Sequence, residues 1–353
     1  MPTKLLFAGD FYYYCGSTHV VFNYSRIAKE FDCELKISTE YGRRDSIVEE
    51  TLPLCSEASW ADHIIFIFEA EPYLKDEQLL EIQSRFPRSR ITIIDADGRF
   101  GPTVSSNGDS NHQGYPPSFW NDLCSALTDR ILQPRLRQLA PQALFFPYHG
   151  MESLPRPSSG FGEKRYTIRY VGNNWYRWTN IRSFFSGLAP LRTSLGRIAL
   201  TGKWWGAETA PGYEAGTFSD SKFLNDLGIE IEASVPFGEV IPAMDEALIS
   251  PLFVRSMLAA QYALTPRMFE VLCANTLPVF GRENEYLAAL YGPESVRLCY
   301  GENPLELIQR IHDHPLSFYD LVLAIREQLY SRYNYRALFA RLLEIITNPA
   351  PPA

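Results

Sequence analysis

Short apolar runs recur along the first 150 residues, and the stretches between them carry apolar residues at helical spacing. KLLFAGD reads as a short apolar strand, and CELKIS, HIIFIF, RITIID and ALFFPY are further buried-strand candidates. GSTHVVFNYSRIAKEF follows the first of them with Val20, Tyr24, Ile27 and Phe31 at helical spacing, and Ser17 or Thr18 can serve as its N-cap. Stretches around residues 74–86 and 118–139 read as the helices that separate the later strands. Alternation of this kind predicts a parallel sheet with helices on both faces.

The rhythm breaks at MESLPRPSSGFGEKR, residues 151–165, whose Pro, Ser and Gly content marks a linker. It then restarts with YTIRYVGN (strand), WTNIRSFFSGL (helix), RIALTG (strand), FLNDLG (helix), IEIEASV (strand), FGEVIPAMDEA (helix) and LISPL (strand). LTPRMFEVLCANTLPVFG, residues 264–281, reads as a short helix handing over to a strand; VRLCY is a last strand, and a long helical region runs from Pro315 to Thr347. The expected fold class is α/β: two Rossmann-like doubly wound domains facing a cleft, over residues 1–155 and 165–325, with a terminal helical segment over 326–353. Open sheets of this type bind ligands at the carboxyl ends of their strands.

A length of 353 residues suits two such domains, and 46% hydrophobic with 14% aromatic residues supplies their cores. A net charge of −8 and a pI near 5.4 argue against a nucleic-acid or anionic-membrane surface, which would need clustered Lys and Arg. The expectation from charge is therefore no nucleic acid and no membrane insertion. No apolar run reaches the ~18 residues of a spanning helix and no signal peptide precedes the first strand, which predicts a cytoplasmic protein. The cysteines lack CxxC spacing and the histidines form no HxxxH pattern, so neither a disulfide frame nor a His/Cys metal site is expected.

Three stretches of the second half could carry chemistry. In YVGNNWYRW, Gly172 permits a tight strand-to-helix turn, with Asn173 in the turn and Arg177 at the helix start, a place that attracts phosphate; the same residues also describe an ordinary capped turn. LTGKWWG repeats the design with Lys203 beside Trp204 and Trp205, aromatic faces suited to sugars and bases, of which at least one is expected to fill the sheet–helix interface. In LTPRMFEV, Thr265 precedes a proline at the first turn, and Arg267 stands where a diphosphate would meet both a guanidinium and free backbone N–H groups. Glu270, one turn on, shares its face and could accept two ribose hydroxyls; the alternative is an i, i+3 surface ion pair worth about 0.2–0.5 kcal/mol, which the apolar flanks disfavour.

These stretches together resemble the nucleotide-sugar-binding half of GT-B-fold glycosyltransferases, the CgeB-like group and the group 1 type C-terminal domain in particular. The resemblance rests on VGN, TGKWWG and the T-x-R-x-F-E-x-x-x-A-x-x-x-P run of Thr265, Arg267, Phe269, Glu270, Ala274 and Pro278. It implies a metal-independent enzyme that moves a sugar from a nucleotide-diphospho-sugar to a small-molecule or saccharide acceptor. Asn173, Arg177, Lys203, Trp204, Thr265, Arg267 and Glu270 would bind the nucleotide-sugar, and the terminal helix would cross back to the first domain. Asn275 stands where the family carries a small glycine, and Tyr262 where many retaining members carry a second glutamate, so the stereochemistry stays open. No cofactor beyond the co-substrate is implied, and no metal.

The first half matches only in rhythm. Asp10 and His19, both from the stretch GDFYYYCGSTHV with His19 already within the first helix, are the candidates for the base that takes the acceptor's proton. Tyr13, Asp97, Arg99 and His149 are the acceptor-side candidates, and SSNGDSNHQGYPP is long and polar enough for a lid. Asp95-Ala96-Asp97 has the D-x-D form that holds a divalent cation in GT-A enzymes, but the tripeptide is common and lies in the half without the phosphate-type turns. A nucleotide-sugar epimerase on the same scaffold and a non-catalytic two-lobed binding protein are the alternative functions.

Overall fold

The computed structural model describes residues 2–12, 15–69, 73–112, 114–155 and 160–348. Among these the chain forms two compact units. One holds the residues up to Val104, Ser110–Gly150 and those from Arg332 onward; the other holds Ser105–Asp109 and Met151–Ser331. Tyr13 lies outside the described residues.

The first unit is built on β1 (Thr3–Gly9), β2 (Cys33–Ser38), β3 (Leu54–Cys55), β4 (His63–Phe68) and β5 (Ile91–Asp95). A small pair follows, β6 (Ser105–Ser106) with β7 (Asp109–Ser110), then β8 (Ile131–Gln133) and β9 (Ala143–Phe145). Among the described residues the sheet has the order β3-β2-β1-β4-β5-β8-β9, and each pair of neighbours is parallel. Successive side chains of β1 point to opposite faces. Leu5 and Phe7 pack with Val20 and Tyr24 of the Gly16–Ile27 helix and with Phe339 and Leu342 of the Tyr335–Thr347 helix, while Leu6 and Ala8 pack with Phe66, Trp120 and Leu127 on the other side. Both faces being covered, β4 is buried along its whole HIIFIF length.

The region read as one helix over 118–139 is instead a helix over Pro117–Leu127 followed by β8. Thr128 leaves helical geometry at φ −161°, and Pro134 prevents the residue before it from returning to helix. The segment from Pro315 to Thr347 is two helices, Leu316–Tyr333 and Tyr335–Thr347, because the Asn334 side chain accepts a hydrogen bond from the Ala337 N–H and starts a new one.

The second unit has β10 (Tyr166–Val171), β11 (Ile198–Thr201), β12 (Glu230–Glu232), β13 (Ala247–Leu252), β14 (Leu277–Gly281) and β15 (Cys299–Tyr300). Their order is β12-β11-β10-β13-β14-β15, again parallel throughout. The order reverses beside β10: the chain moves outward from β10 to β11 and β12, then returns to β13 on its other flank. A crevice opens at the carboxyl ends of the strands at such a switch point. No helix among the described residues is long and apolar enough to cross a membrane.

Candidate functional site

The loops that leave β10, β11 and β13 meet at that switch point. Gly202 ends β11 at φ +148°, and a Cβ there would lie 2.3 Å from the Gly172 carbonyl oxygen, so the two loops approach as closely as they do only because this residue has no side chain. The close approach lets the Lys203 N–H donate to Asn173 Oδ1 at 2.9 Å and Trp205 Nε1 donate to the Gly172 carbonyl at 2.9 Å. Trp205 is fully buried and fills the interface beneath, whereas Trp204 is partly exposed and stands 5.5 Å from the Trp175 ring, which in turn lies 4.9 Å from Tyr213. The Lys203 side chain is at the surface.

Backbone strain is concentrated here. Among the described residues five non-glycine positions have positive φ. Asp32 and Asn107 belong to the side-chain types that tolerate this region; Tyr176 (+54°), Trp204 (+63°) and Tyr262 (+56°) do not. Tyr176 and Trp204 sit in the loops after β10 and β11, and Tyr262 follows the short Ser256–Ala260 helix beyond β13, each at a cost of roughly 1–3 kcal/mol that the surrounding contacts must offset.

Cationic groups gather on the β10–β13 side. Arg177 at the N-cap of the Trp178–Leu188 helix donates through Nε to the Phe253 carbonyl at 2.9 Å and through Nη1 to the Asn173 carbonyl at 3.1 Å, which ties the β10 and β13 loops together. Burial, with the charges of Arg255 and Arg267 acting in the same sense, pushes the Arg177 guanidinium below its ordinary value; Tyr170 and Asp109 oppose the shift. Arg255 is held by Asp109 through two hydrogen bonds, Nε to Oδ2 at 2.8 Å and Nη2 to Oδ1 at 2.7 Å.

Thr265 precedes the Pro266–Cys273 helix in extended geometry, and Pro266 occupies its first turn, where the missing N–H is no loss. Arg267 Nη1 lies 2.8 Å from Glu270 Oε2, with the side chains 23% and 7% exposed. This is no freely solvated surface pair. Neither atom makes a well-aligned hydrogen bond to another described residue, so a carboxylate oxygen is buried with one close charge and hydrogen-bonding capacity to spare.

The structure thus gathers Asn173, Arg177, Lys203, Trp204, Thr265, Arg267 and Glu270 around one sheet edge. Sequence reasoning did not single out Arg255 or Asp109, although Arg255 follows β13 as directly as Arg177 follows β10.

At the carboxyl edge of the first unit, Asp10 is clasped by Arg43, whose Nε lies 3.1 Å from both carboxylate oxygens. His19 packs edge-on to Tyr335, with Nε2 3.2 Å from Asn23 Nδ2. His149 is buried against Tyr148, and burial, aided by the nearby His19, lowers its pKa to about 3. Asp95 is fully buried and accepts from the Arg99 and Phe100 N–H groups at 2.8 Å each and from Gln133 Nε2 at 2.7 Å, which makes it the knot of the turn after β5. Arg99 is buried too, donating to the carbonyls of Glu69 and Asn111 and pairing with Asp97 at 3.5 Å.

A carboxylate missed by sequence reasoning stands among these groups. Glu69, directly after β4, faces the start of the Gly16–Ile27 helix. Cys15 Sγ donates to its Oε2 at 2.7 Å, Ser17 Oγ donates to its Oε1, and the Tyr148 hydroxyl reaches the same oxygen at 3.4 Å. Burial raises its pKa and the charge of Asp97 adds to the rise, against the pull of the donors. The only sequence signal is an acid directly after the HIIFIF strand.

Two parallel Rossmann-like units of this build define the GT-B fold, and the chain has that fold. The α-glucosyltransferase solved in complex with UDP and a 13-mer DNA containing a central A:G mismatch matches 99% of this chain and 100% of its own at a TM-score of 0.64 and 12% identity. T4 phage β-glucosyltransferase in complex with UDP-glucose matches 99% of this chain and 100% of its own at 0.59 and 13%. The same phage enzyme with UDP and Mn²⁺ does so at 0.56 and 13%. No protein-family model matches the chain, and no curated protein matches it by sequence. The DNA complex overturns one expectation: an acidic total does not exclude nucleic acid for a chain of this fold, because net charge says nothing of how charge is distributed over a surface.

Proposed function

We propose that the chain is a glycosyltransferase that transfers a sugar from a nucleotide-diphospho-sugar to an acceptor hydroxyl. One observation carries the reading: the buried Glu270 carboxylate, with Arg267 beside it at the head of a helix and Arg177 and Arg255 within electrostatic reach, at the switch point of a parallel sheet. A carboxylate with unused acceptor capacity suits vicinal ribose hydroxyls, and convergent guanidinium forks suit a diphosphate. Arg177, Arg267 and the Lys203 loop act where negative charge grows as the anomeric bond breaks, so the leaving diphosphate is stabilised by fixed positive groups. The UDP and UDP-glucose bound to the structures of like fold support the same donor class.

The acceptor's proton needs a base on the first unit. Asp10 is occupied by Arg43, whose Nε lies 3.1 Å from both of its carboxylate oxygens. Glu69 is the stronger candidate: among the described residues it has no salt-bridge partner, and burial raises its pKa toward the range where a general base works. Among the described residues no three His, Cys, Asp or Glu side chains cluster as a metal site, so a divalent ion would have to be held largely by the diphosphate itself.

The test is product analysis with UDP-, GDP- and dTDP-sugars against saccharides, small hydroxyl acceptors and duplex DNA, each with EDTA and with Mn²⁺. Sugar transfer or slow hydrolysis supports the reading. Altered sugar stereochemistry with no transfer makes the chain an epimerase, and binding without turnover makes it a receptor.

A further inference from the structure

Residues 105–109 belong to the second unit, although the chain on either side of them belongs to the first. With Ser110 they form a two-stranded turn, SSNGDS, with Asn107 at φ +52° and Gly108 at φ +76°, the pair of positive values that an Asn-Gly hairpin turn requires. The turn is fixed on two successive residues of the loop after β13: Asn107 Nδ2 donates to Ser256 Oγ at 3.0 Å, and Asp109 takes Arg255 in the side-on grip already described. The Asp109 side chain is 1% exposed and that of Arg255 12%. A carboxylate hidden so completely is anchored, and so is the arginine it holds.

The grip uses Arg255 Nε and one face of Nη2, whose bidentate geometry fixes the plane of the whole guanidinium. The same guanidinium lies 5.7 Å from the Tyr176 ring, in the strained loop that also carries Arg177. The charges of Arg255 and Arg267 both act against that of the buried Arg177. Asp109 and Glu270 are the carboxylates that lessen the repulsion while the site is empty, and they leave a net positive charge for an anion.

We propose that Arg255 is a further guanidinium of the donor site, binding the diphosphate, and that Asp109 is its positioning residue, holding the fork in the orientation that the diphosphate meets. The inference rests on the donor reading above. The 105–110 turn is on this view part of the nucleotide-binding apparatus. It contributes no atom to the ligand and acts through Arg255.

The experiment measures Kd for UDP, UMP and inorganic pyrophosphate by calorimetry on the full chain and its variants, with thermal midpoints alongside. Arg255→Ala is expected to weaken UDP and pyrophosphate at least tenfold and UMP much less, and Arg255→Lys, which keeps charge but loses the fork, to fall between. Asp109→Asn should weaken UDP severalfold and leave UMP unmoved. If Arg255→Ala leaves UDP affinity intact while Arg267→Ala destroys it, the inference fails and the donor reading stands. If Asp109→Asn lowers the midpoint with UDP affinity unchanged, Asp109 is merely structural; if it tightens UDP, Asp109 is a competitor for the site. Either result overturns the positioning role. If wild-type chain binds none of UDP, GDP and dTDP, the donor reading itself is lost. Should Arg255→Ala not fold, Arg255→Lys decides alone, by its UDP-to-UMP ratio.

Discussion

Replacing Glu270 by glutamine keeps the shape of the side chain and removes its charge, so it separates binding from folding at the donor site. For stability, the two effects of the change nearly cancel. The carboxylate is 7% exposed, and its attraction to Arg267 at 2.8 Å is offset by the cost of taking both charges from water. A buried amide is cheaper to desolvate than a carboxylate, so the change should stay within about 1 kcal/mol. Binding behaves differently. A carboxylate receiving two ribose hydroxyls makes charge-assisted bonds of about 1.5–3 kcal/mol each, and an amide oxygen offers weaker, neutral ones. A loss of about 2 kcal/mol overall corresponds to roughly thirtyfold in Kd.

The assay is calorimetric titration of UDP and 2′-deoxy-UDP into wild type and Glu270→Gln, with thermal midpoints of both. Wild type should prefer the ribonucleotide, and the variant should lose most of that preference. Arg267→Ala completes the cycle. It leaves the Glu270 charge buried and unpaired, a fault that costs about 3–5 kcal/mol in full burial and less here, with Arg267 23% exposed. The double variant Arg267→Ala/Glu270→Gln should therefore be more stable than Arg267→Ala alone. A midpoint lowered by roughly 10 °C or more in Glu270→Gln, with nucleotide affinity unchanged, would show a structural clasp and refute the ligand role.

Three further outcomes follow from the same structure. His63 and His149 are both buried, and burial lowers each pKa to about 3, with Arg130 contributing at His63 and His19 at His149. The unfolded chain then binds protons that the folded one refuses, so stability should fall by about 1 kcal/mol per pH unit for each histidine as pH drops below about 6.5; urea unfolding from pH 7.5 to 5 checks this, and His149→Phe should flatten the slope. Glu69→Gln should cut turnover by about 10²–10⁴-fold with donor Kd unchanged and remove the acidic limb of the rate profile, a limb placed above the ordinary carboxylate range by the raised pKa; an intact limb in that variant would exclude Glu69 as the base. Gly202→Ala should weaken nucleotide binding at least tenfold, because a methyl group 2.3 Å from the Gly172 carbonyl must push the β10 and β11 loops apart; crystallised loops in their original positions would refute it.

What the sequence made legible at the donor site was local. Thr265, Pro266, Arg267 and Glu270 lie within one turn and a half of helix, so helical periodicity alone puts the guanidinium and the carboxylate on one face. The GKWWG loop shows its glycine and its tryptophans in the same direct way: the sequence places at least one tryptophan in the sheet–helix interface, and the structure identifies it as Trp205, with Trp204 partly exposed. What stayed hidden depends on sheet order. Glu69 meets Ser17 across 52 positions because β4 lies beside β1, and nothing near Glu69 in the chain foretells that neighbour. Asp109 meets Arg255 across 146 positions, out of a stretch that read as an acceptor lid. The strand at Ile131–Gln133 was lost to a helical reading because three residues, two of them apolar, carry too little period to contest it, although Pro134 was visible beside them. Net charge misled for a related reason. It sums over the whole surface, whereas the carboxyl edge of the second sheet concentrates Arg177, Arg255 and Arg267 within an acidic chain, and the fold that brings cations together at one edge is free to do so at another.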